Sequence, residues 1–214
     1  MIVEFFGVPG GGKTQILRQL VAAIPGAREA RAASRGAVAR GVVSFALRHP
    51  LSFLVWMSEL CLHANGLFRY KLGLLFRAMA ARAGAERADR SQIAFVDEGL
   101  LQRLLTIFDS PLSSRRIAFL LRMPPLPNVV VVVRGGEFWR FTIAHNRSNS
   151  PRVKGGEVRL QEWMRNVRAT AALVESELPY YTDVVVCTRG EMDADPAVLR
   201  RDIEQYRDKV CGIL

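Results

Sequence analysis

A three-layer α/β domain with a mostly parallel sheet is the fold class predicted by three features of the sequence. Short apolar runs at 2–6, 92–96, 129–133 and 184–186 have the length and composition of buried strands. Stretches with apolar residues at helical spacing separate them. A glycine-rich loop joins the first strand directly to the first helix.

Taken in order, Ile2 to Phe6 is a strand ended by Gly7. From Thr14 to Ile24, apolar residues at 16, 17, 20, 21 and 24 make one helix face, which Pro25-Gly26 stops. Residues 27–41 are rich in Ala and Arg, with room for a short strand that periodicity does not place. Val42 to Ala83 reads as helical, broken at Pro50 and at Asn65-Gly66. Within it Leu51–Leu62 is strongly apolar but too short to span a bilayer, and Arg48, His49, Pro50 and Glu59 sit in or beside it. A core-packed helical pair is expected there, with peripheral membrane contact through 42–76 as the alternative.

The run 92–96 ends on Asp97-Glu98-Gly99, and helices are expected at 100–108 and 113–121. Four residues rich in proline, 124–127, lead into five consecutive valines, the composition of a central parallel strand. A helix should begin near Glu137, followed by a polar, basic loop at 145–156 and a long amphipathic helix over 157–178. The last strand, at 184–186, precedes a last helix over 196–207.

The 214 residues suit a single domain, with 39–83 as a helical insertion and 145–156 as a lid loop. Thirty Lys and Arg against twenty Asp and Glu leave a net charge of +10, which favours a polyanionic partner. No five basic residues run together, so nucleotide phosphates are expected rather than nucleic acid. Cys61, Cys187 and Cys211 lack metal-ligand spacing and lie among apolar neighbours, which predicts buried, reduced thiols and a cytoplasmic protein. Glu4 interrupts the first apolar run, unlike a secretory leader. His49, His63 and His145 share no spacing with a nucleophile, and Trp56, Trp139 and Trp163 are read as packing residues.

The chemistry concentrates in Gly7-Val8-Pro9-Gly10-Gly11-Gly12-Lys13-Thr14, which fits G-x-x-x-x-G-K-[ST]. Backbone N–H groups can converge on phosphate oxygens only where no Cβ intervenes and φ can be positive, hence the glycines. The helix beginning at Lys13, with Gln15 in its first turn, adds its own free N–H groups and dipole. Lys13 can reach the β- and γ-phosphates of a triphosphate, and the Thr14 hydroxyl can ligate Mg²⁺.

Asp97 and Glu98, at the carboxyl end of a strand, fall on the sheet edge that carries the glycine loop. Asp97 is the better candidate for metal or base, with Glu98 as a second metal candidate. Arg140, Arg147, Arg152 and Lys154 flank or occupy the basic loop, where closing guanidinium groups can stabilise charge on a transferring phosphoryl group.

With these elements placed, the chain resembles the nucleotide-kinase branch of P-loop proteins, the group of thymidylate, adenylate and deoxynucleoside kinases. The resemblance rests on "GVPGGGKT", on "FVDEG" closing a strand, and on "VVVVVRGGEFWRFTIAHNR" leading into an arginine-bearing lid. It implies a five-stranded parallel sheet, MgATP as donor, Asp97 near metal or acceptor, and Arg140 and Arg147 as lid arginines. Arg189, after the last strand, would lie close to the base. Where those families carry arginine beside the strand-end acid, this chain has Glu98 and Gly99, so the acceptor stays unidentified. The expected activity is transfer of the ATP γ-phosphate to a small molecule. The alternative is an ATPase switch in which Glu98 polarises water.

Overall fold

The computed structural model describes residues 1–31, 34–63, 67–89, 92–135, 157–189, 197 and 200–205. Five strands, β1 (Ile2–Phe6), β2 (Arg28–Glu29), β3 (Ala94–Val96), β4 (Val129–Gly135) and β5 (Asp183–Arg189), form one sheet in the order β2-β3-β1-β4-β5. Every pairing is parallel. Among the described residues they are accompanied by the α-helices α1 (Lys13–Ala23), α2 (Arg35–Arg48), α3 (Pro50–His63), α4 (Phe68–Glu86), α5 (Leu100–Leu104), α6 (Ser114–Arg122) and α7 (Glu157–Glu177). Residues 197 and 200–205 are also helical, within the expected last helix.

The valine run shows why the sheet has two covered faces. Val130 and Val132 join the core built by α2 to α7, while Val129, Val131 and Val133 join the core built by α1 and Ile203. A strand buried on both sides gains nothing from alternation, so its sequence is continuously apolar. All five valines are at most 2% exposed. At about 25 cal/mol per Å² of apolar area, each contributes on the order of 2 kcal/mol toward holding the layers together.

Two helices differ from their expected limits. α2 starts at Arg35, where the Ser34 hydroxyl accepts from the Ala37 N–H and caps the first turn. α5 ends at Leu104, short of Phe108, although residues 105–108 are buried. The strand foreseen somewhere in 27–41 is β2, only two exposed residues hydrogen-bonded along β3.

α3 packs on one face only, burying Ser52, Trp56, Glu59 and Leu60. Cys61 falls on the other face and is exposed, contrary to the expected buried thiol, because its apolar neighbours in sequence point in different directions around the helix. Cys187 is buried as expected, and Cys211 lies outside the described residues. Trp56 is buried and Trp163 is packed against the same core. His49 meets Glu86 at 2.9 Å, and His63 meets Glu59 at 3.4 Å. Trp139 and His145 lie outside the described residues.

Candidate active site

β1 is the strand at which connections diverge, leading through α1 to one side of the sheet while β3 leads on to β4 at the other. In such sheets ligands bind in the crevice beyond the carboxyl ends of the strands. The loop after β1 and the loop after β3 therefore emerge side by side, because Glu4 of β1 pairs with Val96 of β3.

The glycine loop has the backbone its sequence demands. Gly10 and Gly12 have φ of 88° and 85°, a region that a side chain disfavours. Gly12 is the N-cap of α1, and its carbonyl accepts from the N–H groups of Gln15 and Ile16. Pro9 and Gly11 complete the turn, with Gly11 donating to the Val8 carbonyl at 3.2 Å. Lys13 is 6% exposed and folds over the loop, donating to the carbonyls of Gly7 at 2.9 Å and Val8 at 3.2 Å. A cation buried against two carbonyls at a helix N-terminus is suited to an anionic ligand.

The Thr14 hydroxyl donates to Asp97 Oδ2 at 2.7 Å. Asp97 Oδ1 is buried and makes no hydrogen bond. An unpartnered carboxylate oxygen beside a hydroxyl fits a hard cation such as Mg²⁺, which takes one or two protein ligands and completes its shell with water and phosphate. Among the described residues no three His, Cys, Asp or Glu side chains cluster into a closed metal site.

Glu98 turns to a different partner. Its Oε2 accepts from Arg103 at 3.0 Å, and Arg103, 1% exposed, also donates to the Gly99 carbonyl at 3.3 Å. The resembled families place arginine directly beside the strand-end acid; in this chain a guanidinium comes to the acidic pair from one turn into α5. Sequence reasoning missed Arg103. Its signal was a charged residue set in the apolar run Leu100 to Phe108.

Glu4 was also passed over. It lies 3% exposed on β1, and its Oε1 accepts from the Leu101 N–H at 2.7 Å. A Cβ on Gly99 would overlap the Glu4 carboxyl, so the loop 97–99 rests directly on that side chain. Burial pushes the Glu4 pKa up to about 7, against the pull of the Leu101 and Gln102 N–H groups and of Arg82 and Arg103.

A cleft of about 770 Å³ opens from Thr14, Asp97 and Glu98 toward β2, α2 and α4. Arg18, Arg31, Arg35 and Arg77 line it, and among the described residues none of the four has an ion-pair partner. Arg189 closes β5, opposite Gly135 of β4. Arg140, Arg147, Arg152, Lys154 and the helix expected near Glu137 lie outside the described residues.

No family model and no curated protein matches the sequence. Solved structures share the fold. Deoxyadenosine kinase from M. mycoides with bound dATP superposes on 95% of this chain and 100% of its own, with a TM-score of 0.56 and 12% identity. The same kinase with products dCMP and a flexible dCDP covers 96% and 100%, again with a TM-score of 0.56 and 12% identity. The chain thus shares the five-stranded parallel α/β fold of this deoxyadenosine kinase.

Proposed function

We propose that this protein transfers the γ-phosphate of MgATP to a small acceptor that already carries negative charge. The contact between Thr14 and Asp97 carries the reading, because it joins the glycine loop to the strand-end acid at the mouth of the cleft. The fold shared with a deoxyadenosine kinase solved with bound dATP supports it.

In this reading, Gly7, Pro9 and Gly11 shape the turn from which the Gly10 and Gly12 amides face the triphosphate, helped by the N–H of Thr14 beside Gln15. Lys13 exchanges its carbonyl partners for phosphate oxygens. Thr14 and Asp97 hold Mg²⁺, with Glu98 alongside; when bound, the cation neutralises charge on the phosphates. Asp97 accepts hydrogen bonds at the strand end and orients the acceptor. Arg140 and Arg147 close over the transferring group, and Arg189 borders the base. The domain is then a single unit, 1–214, with 39–83 forming the acceptor wall and 145–156 the lid.

The negative charge on the acceptor follows from Arg18, Arg31, Arg35 and Arg77. Although Glu29, Asp97 and Glu98 share the cleft, among the described residues none is ion-paired with these four. Unpaired guanidinium groups suit an anion such as a phosphate, which they bind with two parallel hydrogen bonds. The alternative, ATP hydrolysis with Glu98 as the base, needs a carboxylate free to take a proton. Here the Arg103 pair occupies one of its oxygens.

ADP release from MgATP, measured with a panel of nucleosides, sugars and their phosphates, tests the proposal. Turnover should require an acceptor and disappear in Lys13→Met. Acceptor-independent turnover of the wild type would favour the ATPase.

A further inference from the structure

Six of the ten large apolar side chains that stand exposed among the described residues lie between 43 and 68: Val43, Leu47, Leu51, Leu54, Leu62 and Phe68. Val43 and Leu47 are four apart on α2, and Leu51, Leu54 and Leu62 follow one face of α3 with exposed Ser58 between them. The opposite faces of both helices already fill the core, through Phe45, Trp56 and Leu60. The exposed leucines are thus left out of the core formed by the described residues. Leu47 is 79% exposed and Leu51 74%. Isolated exposed leucines are ordinary, but a cluster of this size marks an interaction surface.

The two helices meet at His49 and turn by 117°. Glu86 of α4 holds this elbow, taking Arg82 Nε at 2.8 Å and His49 Nε2 at 2.9 Å on one oxygen. The leucines sit on a braced corner rather than on a loose loop.

Charge identifies the occupant. Over α2 and α3, residues 35–63, the chain has three arginines, Arg35, Arg40 and Arg48, and a single acid, Glu59. Glu59 is buried and paired with Arg116. Arg40 and Arg69, exposed at the two ends of the apolar stretch, have no ion-pair partner among the described residues, and Arg48 shares Glu86 at 3.6 Å. The elbow thus offers leucines and guanidinium groups, with no exposed carboxylate.

We propose that the α2–α3 elbow docks on the surface of an anionic lipid bilayer, its leucines at the acyl boundary and its arginines among the phosphates. This is the composition of an interfacial amphipathic segment. A second copy of the chain fits poorly, because a two-fold contact would set the same arginines against one another with no acid to receive them. Neither helix spans by itself: fourteen residues each reach about 21 Å, against a hydrocarbon core of about 30 Å, and although the pair is long and apolar enough together, it is bent by 117°. No single described helix is long and apolar enough to cross a membrane. The proposal does not depend on the phosphotransfer reading.

Co-sedimentation of the full chain with vesicles decides it, using phosphatidylcholine alone and phosphatidylcholine mixed with phosphatidylglycerol. The wild type should pellet with the anionic vesicles only, and less so at high salt. Leu47→Ser/Leu51→Ser/Leu54→Ser should lower the partition coefficient by roughly tenfold or more, with unchanged circular dichroism. Arg40→Glu/Arg69→Glu should do the same, and decides the matter if the leucine variant does not fold. A wild type that stays in the supernatant would overturn the proposal. So would leucine variants that pellet like the wild type, since bulk charge alone would then explain binding. A lipid-free dimer that the leucine variant makes monomeric would instead assign the elbow to self-association.

Discussion

Thr14 Oγ1 donates to Asp97 Oδ2 across 2.7 Å, although the two residues are 83 apart in the chain. The pairing joins the first turn of α1 to the loop after β3 and leaves the second Asp97 oxygen buried without a partner. Asp97→Asn keeps the shape but removes the charge that would hold Mg²⁺. It should lower kcat by roughly 10²- to 10³-fold and weaken the Mg²⁺ dependence of nucleotide binding, read by calorimetry with and without the ion. Thr14→Ser should retain most activity and Thr14→Ala should not. Equal activity in all three would remove the pair from the mechanism.

Glu4 makes stability depend on pH. Its folded pKa of about 7 lies above the unfolded value of 4.5, so the folded state holds the proton more tightly. That contribution is complete below pH 4.5 and is lost as pH rises through 7, a change on the order of 3 kcal/mol. Urea unfolding across this range should show wild-type stability falling relative to Glu4→Gln. Parallel pH profiles for the two proteins would contradict the assignment.

The Glu98–Arg103 pair should respond asymmetrically. The Glu98 side chain is 49% exposed and that of Arg103 1%, so losing Glu98 strands a buried guanidinium, whereas losing Arg103 leaves a carboxylate largely in water. Glu98→Ala should therefore destabilise the fold by about 1–3 kcal/mol, with solvent screening at the Glu98 end keeping the value low. Arg103→Met, which keeps apolar volume in place, should cost less. Thermal unfolding of both variants orders them, and a larger loss in Arg103→Met would refute the argument.

Arg35 and Arg77 line the cleft from α2 and α4. If they bind the charged end of the acceptor, Arg35→Ala/Arg77→Ala should raise the acceptor KM roughly tenfold or more, leaving the KM for ATP little changed. Steady-state kinetics with each substrate varied in turn separates the two. An unchanged acceptor KM would place the anion elsewhere.

Much of this arrangement was legible in the sequence because its signals are local. Gly7 to Thr14 carries its own backbone requirement, the valine run declares a strand buried on both faces, and Asp97 closes an apolar run that could only be a strand. The missed features depend on contacts distant in sequence. Glu4 looked like an interruption in a strand until α5 placed the Leu101 N–H against it, 97 residues away. Arg103 sits within the helix expected over 100–108, and only the folded chain brings it to Glu98. β2 was unplaceable because Arg28 and Glu29 are both exposed and hold their place by backbone hydrogen bonds to β3, which leave no side-chain pattern. α5 is shorter than its apolar pattern because burial alone, without helix, accounts for Leu105, Ile107 and Phe108.

The most direct measurement follows the phosphorus itself. ³¹P NMR of MgATP turnover, run with matched neutral and phosphorylated acceptors, reports where the γ-phosphorus goes. Acceptor-directed transfer predicts a new organic phosphate signal that grows only with a phosphorylated acceptor and is absent in Lys13→Met. Release of the γ-phosphorus solely as inorganic phosphate, at the same rate with or without acceptor, would contradict it.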